Sequence, residues 1–189
     1  TANPALTVAY TGFVAGDTAA SLTSQATATT AATTTSGAGT YPITAAGAVS
    51  NNYNFTYVAG TLTVDKAPLT VTANNAGKIY GSANPALTVA YTGFVAGDTA
   101  ASLTSQATAT TAATTTSGAG TYPITAAGAV SNNYNFTYVA GTLTVDKAIL
   151  TVTADDKTRV VGAPDPEFTA SYSALSPVIP QQSSAVFRS

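Results

Sequence analysis

Leu69-Thr70-Val71-Thr72-Ala73 places apolar residues at every second position with threonines between them. That is the period of a β-strand with one face turned to a core. The alternation continues on the C-terminal side. Leu87, Val89 and Tyr91 alternate with Thr88 and Ala90, Tyr122 and Ile124 flank Pro123, and Tyr134, Phe136 and Tyr138 alternate with Asn135 and Thr137. Leu143 and Val145 then alternate with Thr142 and Thr144. Turn formers separate these runs at Asn74-Asn75-Ala76-Gly77, Ser117-Gly118-Ala119-Gly120 and Asn132-Asn133. The expected fold is mostly β, built of small β-sandwich or β-grasp-like modules with at most one short helix each.

Four local expectations follow. Asp98 caps a single helical turn ending at Leu103. Pro123, which cannot donate to a ladder, belongs on an edge strand or at a strand start. Gly141 marks a tight hairpin turn or a bulge. The threonine-rich stretch 107–117 reads as a half-exposed strand followed by a mobile loop.

The run 69–73 also returns unchanged as Leu150-Thr151-Val152-Thr153-Ala154. Compared with itself at an offset of 81 residues, the chain is identical from Ala2–Ala67 to Ala83–Ala148. A third, diverged copy matches Gly81 with Gly162, Pro85 with Pro166 and Tyr91 with Tyr172. The expected divisions are a first repeat at 1–67, a complete repeat at 68–148, the start of a diverged repeat at 149–173, and a linker or terminal tail at 174–189. In this frame the first copy has no equivalent of 68–81. A start at Thr1 instead of Met points to a fragment or a processed product.

Composition narrows the function. Of 189 residues 45% are apolar, enough for a core, but only 7% are charged and the net charge is −2. Phosphate neutralisation needs a clustered cationic face, so nucleic-acid binding is not expected, and anionic membrane binding fails for the same reason. No run of about 18 apolar residues is present, so no membrane insertion is expected. Cysteine is absent, which removes disulfides, thiolate metal sites and thiol nucleophiles and suits a protein exported unfolded. Copies this similar suit length, reach or multivalency better than a single chemical site.

Candidate chemistry is sparse. With no histidine there is no Ser–His pair. A Ser–Lys pair would draw on Lys66, Lys78, Lys147 or Lys157, all read as turn or strand-end residues. Asp65-Lys66 and Asp146-Lys147 point to opposite strand faces and close each repeat. No catalytic residue and no cofactor are expected. Asp155, Asp156, Asp165 and Glu167 are weak candidates for a calcium site at an interdomain joint, against the plainer reading as solvated loop charges. Asn54 and Asn135 head Asn-x-Thr sequons and are candidates for glycosylation. Tyr80, Tyr122, Tyr134 and Tyr138 are candidate aromatic platforms for a sugar, although aromatics at period two are more often core.

Taken together, Leu69–Ala73, Tyr80-Gly81 before Asn84-Pro85, Tyr91-Thr-Gly-Phe-Val-Ala-Gly-Asp98, Asn133-Tyr-Asn-Phe136 and Gly141-Thr-Leu-Thr-Val145 resemble the MBG domain of the Tyr-Gly type. The third copy departs from it, with Val161-Gly162 for Tyr80-Gly81 and Asp165-Pro166 for Asn84-Pro85. The resemblance implies tandem modules of bacterial surface proteins, including filamentous-haemagglutinin-like adhesins, with no enzymatic activity. Three functions are then expected in order: a non-catalytic extracellular stalk, a filament subunit joined by β-strand donation, and a module binding host or cell-surface glycans. The donation reading pairs the slot of the first copy with the spare strand 149–154. Its partners would be neighbouring repeats of the same or an identical chain.

Overall fold

The computed structural model describes residues 2–174, so the expected tail lies, beyond Ala174, outside the described residues. In chain order the strands are β1 (Thr27–Thr30), β2 (Gly39–Ala46), β3 (Gly60–Val64), β4 (Ala67–Ala73), β5 (Ala76–Ile79), β6 (Val89–Thr92), β7 (Thr108–Thr111), β8 (Gly120–Ala127), β9 (Tyr134–Val139), β10 (Gly141–Asp146), β11 (Leu150–Ala154) and β12 (Ala170–Ala174). The described helical content is two 3-10 turns, at Ala19–Ser21 and Ala100–Ser102. Chain contacts separate two units: 1–68 with 131–135, and 69–130 with the described residues from 136 onward.

The second unit is a two-sheet β-sandwich. One sheet runs β5-β10-β8-β7 and the other β6-β4-β9. The β8–β10, β7–β8 and β4–β6 pairs are antiparallel, while β5 runs parallel to β10. Val71 and Ala73 of β4 share one buried cluster with Ile124 and Ala126 of β8 and Leu143 of β10. Threonines occupy the alternate, outward positions of β4 and β10. Leu69, Val71, Ile124 and Leu143 are wholly buried, each contributing roughly 1.5–3 kcal/mol by removing apolar surface from water.

Several local expectations are corrected. The cap of the second 3-10 turn is Thr99, whose N–H donates to Ser102 Oγ at 3.1 Å. Asp98 precedes it, in a turn where its N–H donates to Val95 O. Ala76 and Gly77 are not turn residues but open β5, leaving only Asn74 and Asn75 in the connection. Gly141 makes neither a hairpin nor a bulge. It begins β10 where the chain leaves the β4 sheet for the β8 sheet, and a Cβ there would strike Ala73 O and come within 2.9 Å of Asn74 O. Pro123 lies on an inner strand opposite Thr142, tolerated because β7 pairs β8 only from Ile124 onward. The loop after β7 is held by Thr114 N–H to Ser117 Oγ at 2.8 Å and Ser117 N–H to Thr114 O at 3.2 Å, and it buries Ala113.

In the first unit the sheet is β1-β2-β3. Its registers repeat those of β7, β8 and β10: Thr27 faces Ala46 as Thr108 faces Ala127, and Tyr41 faces Leu62 as Tyr122 faces Leu143. Residues 7–13 and 53–58, whose copies in the second unit include β6 and β9, form no strands. The reason is topological. In the second unit β4 lies between β6 and β9 and pairs with both, and the first copy contains no counterpart of β4.

The third copy contributes β11 and β12, an antiparallel pair in which Val152 faces Tyr172, as Val71 faces Tyr91 in β4 and β6. β11 is exposed along its whole length.

Candidate functional site

The acids expected to hold calcium are not brought together. Among the described residues no group of three or more acidic, histidine or cysteine side chains is close enough to hold a metal. Asp165 Oδ1 instead receives Arg159 Nε at 2.6 Å in an exposed ion pair, a type worth about 0–1 kcal/mol. Asp155 Oδ2 accepts from Thr169 Oγ1 at 2.5 Å, and that hydrogen bond is the main cause holding its carboxyl below the usual aspartate range. The bond has a counterpart in the second copy, where Asn74 Nδ2 donates to Thr88 Oγ1 at 2.8 Å. Asp155 is therefore a hairpin residue. Asp156 and Glu167 are exposed.

Asn54 and Asn135, with their threonines at 56 and 137, are all exposed. Of the candidate sugar platforms, Tyr134 is 2% exposed and belongs to the core. Tyr122 donates to Gly118 O at 2.9 Å, and Tyr138 Oη accepts from Ala129 N–H at 3.1 Å. The first copy repeats both bonds, Tyr41 to Gly37 O at 2.8 Å and Ala48 N–H to Tyr57 at 3.0 Å. Tyr10 and Tyr91 accept from Ala26 N–H and Ala107 N–H, at 2.6 and 2.7 Å. Tyr53 donates to Asp17 Oδ2 at 2.6 Å and accepts from Val14 N–H at 3.1 Å; the bond to Asp17 raises its pKa above the ordinary tyrosine value. These phenols are pins between chain segments.

Lys78 is expected from the sequence at a turn or strand end. It is instead inside β5 and only 7% exposed, with Nζ donating to Ser82 O at 3.1 Å and to Thr114 O. Both acceptors are main-chain carbonyls. Lys78 ties the strand to two loops; it is a structural cation.

The first unit carries a large concave feature. A groove of about 450 Å³ has residues 7–13 and 53–60 as walls and Ala26, Ala28, Ile43 and Ala45 on its floor. The copies of these floor residues in the second unit are Ala107, Ala109, Ile124 and Ala126, which lie in or against the cluster that Val71 and Ala73 complete. The groove is therefore the position that β4 fills in the second unit. Its walls are still pinned: Tyr10 Oη holds Ala26 N–H as Tyr91 Oη holds Ala107 N–H. Sequence reasoning identified the gap in the repeat, but not that its walls keep their place.

Among the described residues no helix is long and apolar enough to cross a membrane. No curated protein and no solved structure matches the chain. The family model for the MBG domain (YGX type) matches residues 1–63, 69–144 and 150–177. With those matches spanning all three copies, the chain belongs to the MBG domain (YGX type) family.

Proposed function

We propose that the chain is a non-enzymatic spacer segment of a bacterial cell-surface protein of the adhesin kind, acting outside the cell as a stalk. The observation that carries this reading is the use of the tyrosine hydroxyls. Those of Tyr41, Tyr57, Tyr122 and Tyr138 bond to the repeat's own main chain, the same bonds recurring in both copies. Groups spent on internal pins are not presented to a substrate. The outward threonines keep the surface polar with few ions, and the repetition suits a role scaled by copy number.

Scattering from the chain and from versions carrying one or two further insertions of 68–148 tests the reading. An equal increase in maximum dimension for each inserted copy is expected. A maximum dimension that stays nearly constant as copies are added would contradict a spacer.

A further inference from the structure

One position of the repeat precedes a proline in all three copies, as Asn3-Pro4, Asn84-Pro85 and Asp165-Pro166. The first two side chains are tied down. Asn3 Nδ2 donates to Ala32 O and Asn84 Nδ2 to Ala113 O, both at 2.6 Å and part-buried. The third is an acid instead of an amide. Its side chain is 65% exposed, and Oδ1 accepts from Arg159 Nε at 2.6 Å. We propose that Asp165–Pro166 is a self-cleavage site, at which the Asp165 carboxylate cuts the chain at its own carbonyl in mildly acidic water. The inference goes beyond the spacer reading and does not depend on it.

The chemistry follows from the two residues. Oδ2 attacks the Asp165 carbonyl carbon and closes a succinic anhydride ring. The bond from that carbon to Pro166 N breaks, and the nitrogen takes a proton from the acidic solvent and leaves as a secondary amine. Water then opens the anhydride, so the net change is hydrolysis of one peptide bond. Proline favours this route in two ways. Its nitrogen has no hydrogen, so it cannot attack Cγ and form a succinimide instead. It is also a more basic leaving amine than the primary amine of another residue.

The local structure supports the attack. The bond lies between β11 and β12, within residues 155–168, which form no strand and leave it open to water. Pro164 and Pro166 flank Asp165; the first has a fixed φ, and the second holds Asp165 out of the helical region. Arg159 closes the loop. Its Nη1 donates to Ala163 O at 3.3 Å, its Nε donates to Asp165 Oδ1, and Ala163 N–H donates to Val160 O at 3.2 Å. Arg159 thus occupies one carboxylate oxygen and leaves Oδ2 for the attack. It is a positioning residue.

The test is incubation of the full chain in buffers from neutral to about pH 4, the ordinary aspartate range, followed by mass spectrometry. The expected products are residues 1–165 and 166–189, the second beginning with the free amine of Pro166. Asp165→Asn and Asp165→Glu should both abolish them. The first restores the residue of the other two copies, and the second keeps the charge beside Arg159 but needs a larger ring. Arg159→Gln should slow cleavage of the folded chain by about two- to fivefold, the upper figure matching the 1 kcal/mol or so of an exposed ion pair. In urea it should change nothing, and the parent chain should cleave more slowly there than when folded. No cleavage at this bond, cleavage that persists in Asp165→Glu, an Arg159→Gln chain that matches the folded parent, or a parent that cleaves as fast in urea would each overturn it.

Discussion

Ile43 and Ile124 occupy the same position of the same repeat with the same strand neighbours, yet Ile124 is wholly buried and Ile43 only partly so. Each is paired on one side with a threonine and on the other with a glycine: Thr30 and Gly60 for Ile43, Thr111 and Gly141 for Ile124. What differs is the layer across the core, where Val71 and Ala73 join the cluster of Ile124. Ile124→Ala should therefore cost about 2–5 kcal/mol, the range for a buried aliphatic truncation. Ile43→Ala should cost clearly less, about 1 kcal/mol, because it removes less buried area. Urea unfolding of the two variants as monomers checks this; equal losses would contradict the difference in burial.

Gly141 and Gly60 are a second matched pair. Gly141→Ala places a Cβ against Ala73 O and Asn74 O, backbone atoms that cannot move aside without opening β4. Its second unit should be destabilised by more than about 2 kcal/mol, in the upper range for overpacking. Gly60→Ala should lie within about 0.5 kcal/mol of the parent chain, as for a surface change. Thermal unfolding of both variants provides the comparison.

Lys78→Met keeps the apolar stem and removes the ammonium that serves Ser82 O and Thr114 O. Leaving these part-buried carbonyls without a donor costs about 1 kcal/mol, the low end of the range for an unsatisfied group, and the loss should appear in urea unfolding of the second unit. A neutral effect would mean that water replaces the cation at no cost.

Tyr53 donates to Asp17, and its pKa is raised by that bond. A raised folded pKa means that the bond's contribution to stability is complete below the unfolded tyrosine value. It is then lost as pH rises through the higher folded value. Tyr53→Phe should be less stable than the parent chain at neutral pH, with the difference shrinking as pH rises through the folded value, and tyrosinate absorbance should lose a component that titrates above the ordinary tyrosine value. An unchanged titration curve would show that Asp17 exerts no hold on the phenol.

Asp155 works in the opposite sense. Its pKa is lowered chiefly by the hydroxyl of Thr169, so its contribution is present above the unfolded aspartate value and lost as pH falls through the lower folded value. Pairing of β11 with β12 should weaken on acidification, and in Thr169→Val it should already be weak at neutral pH. Amide exchange at Val152 and Thr153 in the monomeric chain reads both effects.

The β character, the repeat and its register were legible because period-two alternation and exact duplication are local, countable signals. β5 was not legible. Its inward residue is Lys78 and its outward residue Ile79 is 55% exposed, the reverse of the usual pattern, and its parallel pairing with β10 spans most of a repeat. Gly141 was misread for a related reason, since its constraint is the backbone of β4 and not a neighbour in sequence. The acids of the third copy suggested a metal site because they cluster along the chain. In space, Thr169 and Arg159 take up two of them separately. The groove was half legible: alignment gave the missing strand, while the tyrosine pins that hold its walls require the fold.

The most direct measurement is binding of a synthetic peptide with the sequence of residues 67–79 to the full chain. Saturable binding at a single site is expected, with a rise in the lower unfolding transition that grows with the logarithm of free peptide, and both should vanish when Gly60→Ala is added. No binding, or binding that Gly60→Ala leaves intact, would contradict the reading of the groove as the position that β4 fills in the second unit.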